Sequence, residues 1–419
     1  MFRLCLFDLD NTLVHTDDLE SLRLESKRAT SALLAQIAGA LEEDEDRVIY
    51  SRDLLEKIRA DFPELMLGVF TRAPRPYVET VLKWAYPDFE WDIVVTYGDV
   101  RRTKPFGDGI DHAMSELKIQ YINEVIVVGD SDADIRSAYH CGCLVALDKG
   151  GWPNKLKSEH WRAMGHMPDA IIDSPEHLVD VLKSYERFLP ELERLLGGGG
   201  RPFGSGHRFD KIGHFIPREI GGDTTSYPIH ACGRSFSNYQ SLKHRQMWHV
   251  LTHSISANKE ADAFPEAWLV AVRHFIKSEF AAQSFFREMQ IILTVVPHRP
   301  GRKPRLETLL TELGAHFIND PIKRIGVSVA PGLLAYKAGV KSNHGDHLSA
   351  HERFANVRDH LFVAQQNSVL TDAVYIVIDD VVTTGASLIY AGRCLKDCGA
   401  TDVRRLAFAK NVSDVLPRE

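Results

Sequence analysis

Residues 4–14 read LCLFDLDNTLV. The apolar run Leu4–Phe7 is long enough for one buried strand. It stops abruptly at Asp8, and Asp10, Asn11 and Thr12 follow, with Asn and Thr favouring a turn. Two carboxylates two residues apart, just beyond a buried strand, repel each other unless a cation or a shared proton relieves them. A hard divalent ion such as Mg²⁺ suits them, because it takes oxygen ligands and keeps waters that a phosphate can replace. Solvated acids in an Asx turn are the plain alternative for an isolated D-x-D.

The next 180 residues repeat one pattern, a short apolar strand that ends in polar residues. Thr16 and Asp17 can cap a helix carrying Leu22, Leu33, Leu34 and Ile37, and a second helix is expected over Asp53–Ala60. Only this small insert separates the first motif from the strand Met66–Phe70, which ends at Thr71. A hydroxyl there can donate to a phosphate oxygen, although simple turn chemistry is the better explanation for it taken alone. Pro76 stands in the first turn of a helix, where proline is tolerated. Ile93–Thr96 is a third strand, followed by Arg101, Arg102, Thr103, Lys104 and Pro105. A lysine in that position could neutralise a phosphate and a neighbouring carboxylate, or belong to a solvated basic loop. A helix is expected over Asp108–Leu117. Val125–Val128 is continuously apolar, as in the centre of a parallel sheet, and runs into Gly129, Asp130, Ser131, Asp132, Ala133 and Asp134. Acids at the carboxyl end of such a strand face the crevice where these sheets bind ligands. Leu144–Leu147 and Ala170–Ile172 complete the strands, and Pro175–Leu196 reads as helical.

In order, these signals are D-x-D with a threonine, a strand-terminal Thr, Lys-Pro, and G-D-x-x-x-D. Residues 1–180 thereby resemble the haloacid dehalogenase (HAD) superfamily of phosphohydrolases. The resemblance implies that Asp8 is a nucleophile forming an aspartyl-phosphate and that Asp10 is the acid and base. It implies that Thr71 and Lys104 hold phosphoryl oxygens. Asp8, Asp10, Asp130 and Asp134 would make up the Mg²⁺ site, with Asp134 positioning either Lys104 or the metal waters. Family members with large caps enclose small substrates, and the insert here is short.

The composition fits this reading. At 419 residues two domains are expected. A hydrophobic content of 44% supports a sizeable core, and a net charge of −7 argues against a general nucleic-acid binder. The six cysteines show no paired framework, which points to reduced thiols in a cytoplasmic protein. No run is long enough for a membrane span, and the chain passes straight to Asp8 without a signal peptide.

Four glycines at 197–200 cannot form a helix or strand cheaply, so the domain boundary is placed there. The expected division is a phosphatase domain over 1–196, a linker over 197–206 and a second domain over 207–419. Thirteen of the 19 histidines follow residue 200. His244, His249 and His253 could share a helical face, but no zinc-type Cys/His spacing accompanies them. Helices are expected over Tyr239–Ala257 and Ala267–Phe280. The strand Ile291–Val296 runs into the stiff basic loop 297–305, which holds Arg299, Arg302, Lys303 and Arg305. Gly326–Val329 is a short strand, and Asp346–Phe362 carries HLSAHERFANVRDHLF. The strand Ala373–Ile378 then leads into Asp379, Asp380, Val381, Val382, Thr383, Thr384, Gly385, Ala386 and Ser387, a helix to about Cys398, and the strand Val403–Ala409. Small and hydroxyl residues at a helix start bind phosphate through N–H groups and the helix dipole, and two acids can hold two ribose hydroxyls.

VYIVIDDVVTTGASL resembles the phosphoribosyl pyrophosphate (PRPP) motif of type I phosphoribosyltransferases, and residues 230–412 resemble the competence-factor ComF branch. That resemblance implies that Asp379 and Asp380 bind ribose hydroxyls and that Thr383, Thr384, Gly385, Ala386 and Ser387 cradle a 5′-phosphate. Arg299 and Arg302 would reach the pyrophosphate. The branch often carries a four-cysteine zinc module, of which only Cys232 has a counterpart here. The fold class expected is α/β, with two Rossmann-like domains, each built on a mainly parallel sheet flanked by helices. The expected function is a Mg²⁺-dependent phosphomonoesterase joined to a PRPP-type phosphoribosyltransferase in nucleotide, ribose-phosphate or RNA-end metabolism. Its ligands would be a phosphomonoester and PRPP or another ribose 5-phosphate compound, with a nucleic-acid end as a further partner and no membrane. The alternatives are a phosphatase regulated by a non-catalytic ribose-phosphate domain, and a nucleic-acid-processing scaffold using the basic loop.

Overall fold

The computed structural model describes residues 1–153, 156–204, 206–213, 215, 223–259, 261, 263–341 and 348–416. Asp346, the start of one expected segment, lies outside the described residues. The chain forms two compact units. The first comprises Met1–Phe188, Phe236–His249 and the stretch from Ser413 onward, and the second comprises Leu189–Ser235 and Val250–Val412.

The first unit is built on strands β1 (Leu4–Phe7), β2 (Met66–Phe70), β3 (Ile93–Val95), β4 (Val125–Gly129), β5 (Leu144–Asp148) and β6 (Ala170–Ile172). They form one sheet in the order β3-β2-β1-β4-β5-β6, and every pairing is parallel. β1, β4 and β5 are buried along their whole length, which explains why these strands read as unbroken apolar runs rather than as alternating ones. Phe7 pairs with Val69 on β2 and Val128 on β4. Within two residues of that register, Asp8, Thr71 and Asp130 follow at the carboxyl ends of the adjacent strands β1, β2 and β4.

The second unit contains β7 (Asp210–Ile212), β8 (Ile229–Ala231), β9 (Arg234–Phe236), β10 (Met289–Val295), β11 (Ile325–Val329), β12 (Leu334–Tyr336), β13 (Leu361–Val363), β14 (Val374–Val382) and β15 (Asp402–Val412). Its main sheet runs β11-β10-β14-β15-β8-β7, with β9 also on β15. The pairs from β11 through β8 are parallel, and β7 is antiparallel to β8. β12 and β13 form a separate antiparallel pair. The α/β class with two helix-flanked, mainly parallel sheets is therefore observed.

The division between units departs from the glycine run. The helix Glu191–Leu196 belongs to the second unit because Leu192 is wholly buried in that unit's apolar core. The glycines after it turn back on the helix, with Arg194 donating to the Gly200 carbonyl. The expected helix over Pro175–Leu196 is instead two: His177–Lys183 ends at Ser184, whose backbone is no longer helical, a single 3-10 turn covers Tyr185–Phe188, and Pro190 starts Glu191–Leu196. Tyr239–Ala257 is likewise interrupted, as Lys243–Gln246 and Val250–Ala257. Residues 236–249 join the first unit through Arg245. That buried side chain donates to the Cys143 carbonyl at 2.9 Å, ion-pairs with Asp169 and lies 4.0 Å over the Trp248 ring. Among the described residues, no helix is long and apolar enough to cross a membrane, and all six cysteines are free.

Candidate active site

Asp8 is fixed by its own backbone, whose N–H donates to the Val128 carbonyl at 2.8 Å. Lys104 Nζ sits 2.8 Å from Asp8 Oδ1 and 2.5 Å from Asp134 Oδ1. Asp134 opens the helix Asp132–Cys141 and is fully buried. Its second oxygen accepts from the Ser131 N–H at 3.1 Å and from the Ser131 hydroxyl at 2.6 Å. Both oxygens of Asp134 are thus committed, and the residue orients Lys104. Gly129 makes this possible, because a Cβ at that position would lie 2.2 Å from the Asp134 Cγ.

One lysine faces three acids, since Asp8, Asp130 and Asp134 offer carboxylate oxygens that all lie within 4.8 Å of one another. Burial raises the Asp8 pKa to about 6, with Lys104 opposing and Asp134 and Asp10 adding to the rise. Burial, then Asp134 and Asp8, push Asp130 well above the usual carboxylate range. Lys104 stays charged because Asp134 and Asp8 outweigh the cost of its burial. This uncompensated negative charge on hard oxygen donors fits a divalent cation such as Mg²⁺. Asp8, Asp130 and Asp134 together are the carboxylates that could hold it.

Asp10 does not join that group. Its Oδ1 accepts from Thr16 Oγ1 at 2.7 Å and from the Tyr77 hydroxyl at 2.9 Å, and its Oδ2 lies 3.0 Å from Arg23 Nη1. The expectation that its carboxylate shares the cation site therefore meets a geometry that turns it toward the insert. Thr71 is buried at the end of β2, and its Oγ1 accepts the Ala73 N–H at 3.1 Å, leaving its hydroxyl proton for another acceptor.

In the second unit, Asp379 and Asp380 lie within β14 rather than beyond it. The pairing with β15 continues through Asp379 opposite Ala407 to Val382 opposite Lys410. Asp379 Oδ1 accepts the Asp380 N–H at 2.9 Å, and Asp380 Oδ1 accepts the Val381 N–H at 2.7 Å. Burial, and then Asp380, push Asp379 well above its ordinary pKa. Arg305 ion-pairs with Asp380. Thr383 and Thr384 lead to Gly385, whose φ of 79° is left-handed, and Ala386 and Ser387 begin the helix Ala386–Asp397. Arg299 is half-buried beside Tyr336, whose phenol is pushed up to about 12 chiefly by burial. Arg302 is exposed, in a turn closed by its N–H on the Arg299 carbonyl at 3.0 Å.

Residues 47–147 match the family model described as haloacid dehalogenase-like hydrolase. A haloacid dehalogenase-like hydrolase domain lies at these residues. The match begins after Asp8 and Asp10, which reach the HAD-like domain through the pairing of β1 with β2 and β4. The chain is 27% identical over 121 residues to the pyrophosphatase PpaX of Bacillus cereus, covering 29% of this chain and 53% of that protein. It is 29% identical over 122 residues to an uncharacterized hydrolase of Saccharomyces cerevisiae, with the same coverage. The chain thus spans about half the length of the curated relatives it matches. Among solved structures, CbbY from Rhodobacter sphaeroides in complex with phosphate is 17% identical with a TM-score of 0.34, covering 42% of this chain and 96% of that one.

Sequence reasoning passed over the residues that hold others in place: Thr16, Arg23 and Tyr77 around Asp10 in the HAD-like part, and Arg305 at Asp380. Arg305 carried a signal as the fourth cation of the basic loop. Arg23 and Tyr77 carried none: the first lies on the six-residue helix Glu20–Glu25, which buries no residue, and the second is one of several buried side chains of the helix Arg75–Ala85.

Proposed function

We propose that the first unit is a Mg²⁺-dependent phosphomonoesterase that works through an aspartyl-phosphate. The observation that supports it most is Lys104 bridging Asp8 and Asp134 beside Asp130. An Asp8 oxygen attacks phosphorus as the bond to the leaving oxygen breaks, and Asp10 gives that oxygen its proton. Asp10, now a carboxylate, takes a proton from water, whose oxygen displaces Asp8 and releases inorganic phosphate. Lys104 and the Thr71 hydroxyl hold the phosphoryl oxygens, and Asp134 keeps Lys104 in place. Asp8 and Asp130 would hold Mg²⁺, which when bound neutralises charge developing on the phosphoryl group. Arg23, Thr16 and Tyr77 orient Asp10.

For the second unit, the reading is binding of PRPP or a related ribose 5-phosphate and phosphoribosyl transfer. Paired acids at the end of a central parallel strand, a left-handed glycine and a helix start favour a phosphorylated sugar. Transfer from PRPP releases pyrophosphate, and the PpaX relatives are pyrophosphatases, so pyrophosphate belongs among the substrates to be tried, beside nucleotides, sugar phosphates and RNA ends. The test is a phosphatase screen over these compounds with Mg²⁺, run on the unsubstituted protein and on Asp8→Asn. Hydrolysis that survives in Asp8→Asn would refute the nucleophile. PRPP binding without turnover in the presence of any base would reduce the second unit to a ligand-binding domain.

A further inference from the structure

Glu191, His207 and His274 meet in the second unit, away from the residues assigned above. Glu191 opens the helix Glu191–Leu196, His207 precedes β7, and His274 lies in the helix Glu266–Phe286. The Glu191 side chain has no exposure, while His207 and His274 keep 27% and 23%. Glu191 Oε1 is 2.6 Å from His274 Nδ1 and 3.1 Å from His207 Nδ1. The two imidazoles stack with centroids 3.9 Å apart and planes 19° from parallel.

The cluster converges more nitrogen on one oxygen than hydrogen bonding can use. Oε1 already receives Arg194 Nη2 at 2.6 Å. His207 Nδ1 is buried and has no hydrogen-bond partner, despite its 3.1 Å approach to the carboxylate. If that nitrogen carries a hydrogen, it is an unsatisfied buried donor; if it carries a lone pair, it faces an anion. A cation shared by the three atoms removes the conflict once His207 carries its proton on Nε2, because the Nδ1 lone pair then faces the ion rather than the carboxylate.

We propose that Glu191 Oε1, His207 Nδ1 and His274 Nδ1 form a Zn²⁺ site whose fourth position is left to water. Two imidazoles and one carboxylate are a borderline donor set that suits zinc better than magnesium or calcium. Ligands about 2.0–2.1 Å from a tetrahedral zinc stand roughly 3.3 Å apart. Completing the site therefore takes a rotation of the imidazoles out of their stack, so that the two Nδ1 lone pairs, which lie in the ring planes, converge on the ion beside Glu191 Oε1. Arg194 shifts its weight to Oε2, which its Nε already approaches at 3.3 Å. The partial exposure of both rings provides the entry path. The ion would tie the stretch from Glu191 to His207 to His274 in the helix Glu266–Phe286. His244, His249 and His253, the histidines whose spacing drew attention, do not enter this group.

The test uses the full chain with Asp8→Asn and Asp130→Asn, so that the phosphatase acids do not compete, after treatment with a chelator. Calorimetric titration with Zn²⁺ should give one equivalent, and the melting temperature should rise. Zn²⁺ should protect His207 and His274 from diethylpyrocarbonate, read by peptide mass spectrometry. His207→Gln with His274→Gln should weaken binding at least tenfold. Equal reactivity of His207 and His274 with and without Zn²⁺ would overturn the proposal, and that footprint needs no substitution at the site to fold. Unchanged affinity in the double variant would overturn it as well.

Discussion

Lys104 Nζ stands 2.5 Å from Asp134 Oδ1, across 30 residues of chain. Asp134 is in turn gripped by Ser131, and Gly129 leaves the space it fills. The lysine that faces Asp8 is therefore set by a carboxylate with no free oxygen of its own. Asp134→Ala should destabilise the first unit by about 3–5 kcal/mol, because a buried cation is left half-paired. Asp134→Asn should cost less in stability and still lower kcat. Chemical denaturation alongside phosphatase kinetics separates the two effects, and equal loss in both variants would count against an orienting role.

Asp8→Asn should reduce hydrolysis of an aryl phosphate by several orders of magnitude, because an amide cannot serve as the nucleophile. A residual rate above about a hundredth of the unsubstituted one would contradict the assignment.

The same substitution should stabilise the metal-free protein. The Asp8 pKa is about 6 in the folded state, against about 4 for an unfolded aspartate. Folding therefore favours the protonated form: stability is full below about pH 4 and is lost as the pH rises through about 6. Asparagine mimics the protonated acid, so the variant should gain roughly 1–3 kcal/mol over the unsubstituted protein at neutral pH. Near pH 4 it should gain little. Melting curves across this range, with chelator present, check the sign.

Asp10→Asn should slow hydrolysis of an alkyl phosphate far more than that of an aryl phosphate, because a good leaving group needs little protonation. Arg23→Ala, which frees Asp10 Oδ2, should alter the pH profile of kcat more than KM. Equal losses on both substrates in Asp10→Asn would argue against the general acid.

Gly385→Val should abolish PRPP binding measured by calorimetry. Its φ of 79° is left-handed, and a Cβ there would lie 2.9 Å from Phe215 Cδ1. The backbone term alone costs roughly 1–2 kcal/mol. Asp379→Ala with Asp380→Ala should remove the same binding while leaving hydrolysis by the first unit intact. PRPP binding retained in both variants would place the ligand elsewhere.

The sequence by itself determined the strands of the first sheet and what stands at their ends. Leu4–Phe7, Met66–Phe70 and Ala170–Ile172 are strands over those residues, because each is a short apolar run that polar residues terminate. Parallel strands buried on both faces make such runs unambiguous. The positions of Asp8, Thr71 and Asp130 follow from the same local pattern, whereas Lys104 lies in the loop between Val95 and Asp108. Only the tertiary structure decided that Asp134 holds Lys104, that Arg23 and Tyr77 hold Asp10, and that Arg305 reaches Asp380. Those pairs join segments far apart in the chain, and side-chain contact across such gaps leaves no periodicity to read. The division between the units was hidden for a related reason. Glycine at 197–200 marks a flexible backbone, but the boundary follows buried apolar contact, which places Leu192 in one core and Arg245 in the other unit.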